Sequence, residues 1–207
     1  DGLHAHVRDT EQRHVLDVGL YAELLSELGH RAPDLYVQIT SEAAGRFTPA
    51  EQRHLVETLK PRAVSVALRE ITANQDNAVT RRFFAMCAEA KIDVQHILYD
   101  AADIAHLARL VAQGDVPCDG LKTLIVLGRY TNGQTSTPTE VAALAQRLKS
   151  ALPDADWAAC AFGPQETACL IETMRHGGKT RIGFENNRLN TDGQVAANNA
   201  ERVTELV

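Results

Sequence analysis

Seven times along this chain a short apolar run is followed by an amphipathic helical pattern, with no long linker and no low-complexity stretch. The strands expected are Leu3–Val7, Leu35–Thr40, Ala63–Leu68, Ile92–Tyr99, Leu121–Leu127, Trp157–Phe162 and Thr180–Phe184. Helices are expected over Gly19–Leu28, to Leu59 from the Thr48-Pro49-Ala50-Glu51 start signal, Asn77–Ala90, Ala102–Ala112, to Ala151 from Thr137-Pro138-Thr139-Glu140, Pro164–Arg175, and from Val195 onward. Strict alternation of this kind implies a parallel sheet covered by helices. An open doubly wound sheet and a closed (β/α)₈ TIM barrel both fit. The barrel needs eight strands, and the expectation is a single barrel domain over 1–207 that lacks its first βα unit.

Composition narrows the function classes. The net charge of −6 argues against a nucleic-acid partner, which needs clustered Lys and Arg. No run approaches the roughly 18 apolar residues of a membrane helix, and Asp1 to Asp9 lack the pattern of a signal peptide. Cys87, Cys118, Cys160 and Cys169 form no C-x-x-C pair. They read as reduced thiols of a cytoplasmic protein, mostly filling the core.

His4-Ala5-His6 is the sharpest local feature. Residues two apart on a strand share a face, about 6.6 Å apart along the chain, so two imidazoles can converge on one metal ion. The alternative is a pair of polar residues at a strand end. Glu185, at the end of the last expected strand, completes a His₂Glu set with an open position, the pattern of catalytic zinc. By itself it also reads as a turn cap. Arg181 lies four residues earlier, on the same strand face, and calls for a carboxylate partner if buried. Thr40-Ser41 closes the second strand and offers hydroxyls to a carboxylate or carbonyl, or a cap to the next turn. Gln95 and His96 interrupt an apolar strand, and His96 reads as a core histidine rather than a ligand. His14, His30, His54, His106 and His176 read as surface residues. Arg129, in the polar loop Gly128–Gln134, suits an anionic group or solvent. Trp157 reads as packing. No G-x-G-x-x-G or Walker pattern is present.

HAHVRD at the start, YVQITS, QHILYD, DADWAACAFG and RIGFENN followed by DGQVAANNAERV together resemble the β-keto acid cleavage enzymes, in order, over nearly the whole chain. The resemblance implies a (β/α)₈ barrel and zinc held by His4, His6 and Glu185. It implies a transferase that condenses a β-keto acid with acetyl-CoA, giving acetoacetate and a new acyl-CoA, with the metal as Lewis acid. Thr40, Ser41 and Ser65 are implied to bind substrate. Arg181 orients or supplies charge, and a homo-oligomer is expected. Two positions depart from the family pattern. Asn186 stands where E-D-N has its Asp, the family's base, and an amide takes up no proton at neutral pH; its expected role is hydrogen bonding. Gln95 aligns with a Glu that pairs with a substrate amino group, so a neutral or polar side chain is favoured over a cationic one. A metal-dependent barrel hydrolase and a non-catalytic keto-acid-binding paralogue are the alternative readings.

Overall fold

A computed structural model describes residues 2–207. The chain divides into two compact units. The first runs to His96 and adds Arg109–Leu121; the second comprises Ile97–Ala108 and Lys122–Val207. The elements are β1 (Gly2–Ala5), α1 (Val18–Arg31), β2 (Tyr36–Thr40), α2 (Pro49–Leu59), β3 (Ala63–Ala67), α3 (Leu68–Ile71), α4 (Asn77–Glu89), β4 (Asp93–Leu98), α5 (Ala101–Ala112), β5 (Lys122–Leu127), α6 (Pro138–Ala151), β6 (Asp156–Ala161), α7 (Glu166–Arg175), β7 (Lys179–Thr180) and α8 (Asn199–Leu206).

Strand order follows chain order in each unit, β1-β2-β3-β4 in the first and β5-β6-β7 in the second. The registered pairs are parallel. A doubly wound sheet places its first strand inside and reverses direction at a switch point. Sequential order is the (β/α)-barrel pattern, present here with seven strands among the described residues where a full barrel has eight.

The helices start where their caps dictate. Thr48 and Glu51 form a reciprocal capping box, with Thr48 N–H donating to Glu51 Oε2 at 2.8 Å and Glu51 N–H to Thr48 Oγ1 at 3.3 Å. Glu140 accepts the Thr137 N–H at 2.7 Å, with Pro138 in the first turn. α1 passes through Gly29 and stops at Arg31, three residues beyond the expected end. A glycine inside a helix costs at most about 1 kcal/mol, whereas Pro33 cannot continue one. α3, a single turn directly after β3, was not expected.

The largest corrections concern the C-terminal region. The seventh strand was expected over Thr180–Phe184 but is only Lys179–Thr180. Arg181 N–H still donates to Ala159 O at 2.9 Å, but the ladder then ends. Gly183 N–H goes instead to the Glu166 carboxylate at 3.3 Å and Phe184 N–H to Asn199 Oδ1 at 2.8 Å, while Asn186 N–H closes a turn on Gly183 O at 2.9 Å. Glu185 therefore sits in a turn, not at a strand end. The last helix begins at Asn199 rather than near Val195. Residues 189–195 form a small hairpin, with an antiparallel bridge from Leu189 to Val195 and Gly193 at φ 81°, and Asn198 caps the helix that follows.

In the second unit Arg202 of α8 is fully buried. Its Nη2 donates to Glu166 Oε2 at 2.9 Å and Thr167 Oγ1 at 3.0 Å, and its Nη1 to Asn190 Oδ1 at 3.1 Å and to Glu205. Glu166 is also fully buried. Removing one partner of such a pair strands the other charge away from water. Arg202→Met is expected to lower stability by about 3–5 kcal/mol in a denaturant titration, and adding Glu166→Leu is expected to recover most of the loss.

Candidate metal centre and its surroundings

The β1–β2 register sets His4 beside Gln38, and the β2–β3 register sets Thr40 beside Ser65. Both pairings decide side-chain chemistry. His4 Nδ1 lies 2.9 Å from Gln38 Oε1, while Gln38 Nε2 donates to Gln95 Oε1 at 3.2 Å. With its amide nitrogen committed to Gln95, Gln38 presents an oxygen to His4. The His4 proton therefore sits on Nδ1, and the lone pair is on Nε2. His6 lies just beyond β1, with its Nε2 3.0 Å from His4 Nε2. The two imidazoles thus converge through the same ring nitrogen. Gln38 was not singled out from the sequence; its signal is a polar residue in the otherwise apolar strand YVQIT.

At the end of β2 the hydroxyls are differently engaged. Thr40 Oγ1 accepts the Glu42 N–H at 3.0 Å, and Ser41 Oγ donates to Ser65 O at 3.0 Å. Ser41 thereby spends its one donor on backbone. Ser65 Oγ is buried and has no hydrogen-bond partner.

His14 corrects another expectation. It is half-buried rather than a surface residue, with Nε2 3.0 Å from Glu42 O and Nδ1 buried. It returns to the His6 neighbourhood because the segment after β1 folds back, bridging Arg8 to His14. Asp9 holds that turn, accepting from Glu11 N and Arg13 N, each at 2.9 Å. The backbone hydrogen bond from Arg13 is the chief cause holding its carboxyl below the usual range.

In the second unit Arg181 directs Nη2 to Cys160 Sγ at 3.3 Å and lies 3.8 Å from Glu185 Oε2. Its Nε and Nη1 are buried without hydrogen-bond partners. Asn186 is buried and donates from Nδ2 to Glu166 Oε1 at 3.3 Å, while its Oδ1 has no partner. An Asp at 186 would set two carboxylates in contact, so the amide suits the Glu166 neighbour. Arg129 lies over the Phe162 ring, 5.6 Å from its centroid. Trp157 packs against Gly178, where any Cβ would fall 2.6 Å from the indole.

The family model for the beta-keto acid cleavage enzymes matches residues 2–207. The chain belongs to the β-keto acid cleavage enzyme family. Among solved structures it is similar to ObcA in a binary complex with oxaloacetate, at 12% identity and a TM-score of 0.73 over 98% of this chain. It is also similar to ObcA in a ternary complex with a C4-CoA adduct and oxalate, at 13% identity and a TM-score of 0.67 over 97% of this chain. A type I 3-dehydroquinate dehydratase from Clostridium difficile matches at 13% identity and a TM-score of 0.62, over 92% of this chain and 74% of that one. These likenesses are of fold. The chain spans 58% and 57% of the two ObcA chains.

In this member of the β-keto acid cleavage enzyme family three of the four cysteines are buried and Cys118 is exposed. Burial pushes the Cys87 thiol up to about 12 and raises those of Cys160 and Cys169. No helix among the described residues is long and apolar enough to cross a membrane. His96 on β4 is 3% exposed, with its ring 5.0 Å from Phe84 and Nδ1 unpartnered. Burial lowers its pKa from 6.5 to about 4. The unfolded chain takes up this proton first, so the stabilisation is complete above pH 6.5 and is lost as pH falls towards 4. Unfolding titrations between those limits are expected to show a loss of about 3 kcal/mol that is absent in His96→Leu.

Proposed function

We propose that the chain forms the metal-binding part of a β-keto acid cleavage enzyme that takes a β-keto acid and acetyl-CoA and returns acetoacetate and a new acyl-CoA. The observation that carries the reading is the His4–His6 pair, with two Nε2 atoms 3.0 Å apart and the His4 tautomer set by Gln38. Two imidazole nitrogens this close, with a carboxylate as third donor, are the donor types that a zinc-class ion takes. The donors therefore fit a zinc-class ion.

In this reading His4, His6 and Glu185 hold the metal, which when bound supplies a Lewis acid for the keto acid's oxygens. The unpartnered Nε and Nη1 of Arg181 are donors left for a carboxylate. Ser65 Oγ, unpartnered, is the best placed of the three expected hydroxyls to bind substrate. Thr40 keeps its O–H as a donor, whereas Ser41 is already committed to backbone. Gln95 and Gln38 form a neutral pair, which favours an uncharged or polar substrate side chain. Asn186 positions by hydrogen bonding and takes no proton. The oxaloacetate, oxalate and C4-CoA adduct held by the ObcA neighbours support a small keto acid and a CoA ester as ligand classes.

The test is metal analysis of the full-length protein, paired with incubation with acetyl-CoA and a panel of β-keto acids. Loss of one equivalent of zinc in His4→Ala, with acetoacetate formed by the unaltered protein and not by the variant, is the expected result. Zinc without turnover on any keto acid would leave a keto-acid-binding paralogue or a metal-dependent hydrolase; protein without zinc would end the reading. Gln38→Leu releases the His4 ring and is expected to weaken zinc binding by roughly 10- to 100-fold, measured by chelator competition.

A further inference from the structure

His6, His14 and Glu42 each offer a ligand atom, and these atoms lie within 4.8 Å of one another. All three belong to the first unit. We infer that they form a second site for a divalent transition-metal ion of the zinc class, beside the His4–His6 pair and sharing His6 with it.

Three observations converge. The first is the state of His14. Its Nε2 faces the Glu42 carbonyl at 3.0 Å, and a carbonyl only accepts, so the ring proton is on Nε2 and the lone pair on Nδ1. That Nδ1 is buried and meets no hydrogen-bond donor. A ligating histidine has this form, with one ring N–H held by a carbonyl and the lone pair of the other nitrogen open. The second is the direction of His6. While Nε2 faces His4, Nδ1 is 3.9 Å from Glu42 Oε2, so the opposite ring edge looks into the new site. The third is rigidity. His14 is fixed by the Arg8–His14 bridge, by Arg46 Nη1 donating to its carbonyl at 3.0 Å and by the Phe47 ring edge at 5.9 Å. Glu42 is tied through its own carbonyl to His14 and through its N–H to Thr40.

Two neutral imidazoles and one carboxylate give a −1 donor set suited to a 2+ ion. This is the nitrogen- and oxygen-rich chemistry of zinc with an open position. An ion here and one at the His4–His6 pair share His6 through opposite nitrogens. Filling both therefore takes that ring to imidazolate, with release of its proton to solvent.

The experiment removes the other site first. Full-length protein carrying His4→Ala and Glu185→Gln is dialysed against zinc, and bound metal is measured per chain. One zinc per chain is expected to remain. It is expected to fall to none when His14→Ala is added, and to weaken at least tenfold with Glu42→Gln. Cobalt substituted for zinc is expected to give visible bands that change with His14→Ala, and circular dichroism checks that each variant is folded. No zinc in the His4→Ala, Glu185→Gln background, or zinc there that is indifferent to His14, overturns the second site. Neither result bears on the site of the proposed function, whose loss is read in the His4→Ala variant alone by turnover.

Discussion

A parallel strand cannot pass its chain straight to its neighbour. The chain must first return along the sheet, and a helix is the compact way to do so. The repeat of apolar run and amphipathic helix follows from this, and so does the siting of the candidate site residues. Within each unit, the segments leaving the strands' C-terminal ends are freed from the ladder, while the strands themselves stay packed. His6, Ser41 and Glu42 lie just past β1 and β2. The buried positions of β3 and β5, Val64, Val66, Leu124 and Ile125 among them, hold the strands in place.

Register then converts backbone order into side-chain chemistry. A parallel ladder shifted by one residue would present Val37 or Ile39 to His4 instead of Gln38. The imidazole would lose the acceptor that sets its tautomer. The orientation and tautomer of His4 thus depend on backbone hydrogen bonds some distance from the ring, supported by the apolar packing of β2.

In the second unit a buried charge network takes the corresponding role. Glu166 accepts from Arg202, from the Gly183 N–H and from Asn186. One carboxylate thereby connects the start of α7, the turn that carries Glu185 and the final helix. A buried ion pair of this kind contributes little net stability compared with apolar packing, but it penalises every arrangement that leaves one charge alone. The Asn at 186 is compatible with it because an amide donates to Glu166, where a carboxylate would repel it.

The sequence by itself determined the seven strand–helix repeats, the two Pro-containing helix starts and the H-x-H pair, because each is a local pattern. Periodicity, capping chemistry and two-residue alternation act within a few residues. The motif order also carried the family. Tertiary structure alone decided the tautomer of His4, the fates of the Thr40, Ser41 and Ser65 hydroxyls, the return of His14 to His6, and the early end of β7. Each of these turns on a hydrogen-bond partner distant in sequence or on a side chain that captures a backbone N–H. Glu166 and Asn199 compete with the ladder for the donors of Gly183 and Phe184, and nothing in the run RIGFENN reports that competition. A side chain's chemistry depends on what it meets, and for these residues that is settled by folding rather than by neighbours along the chain.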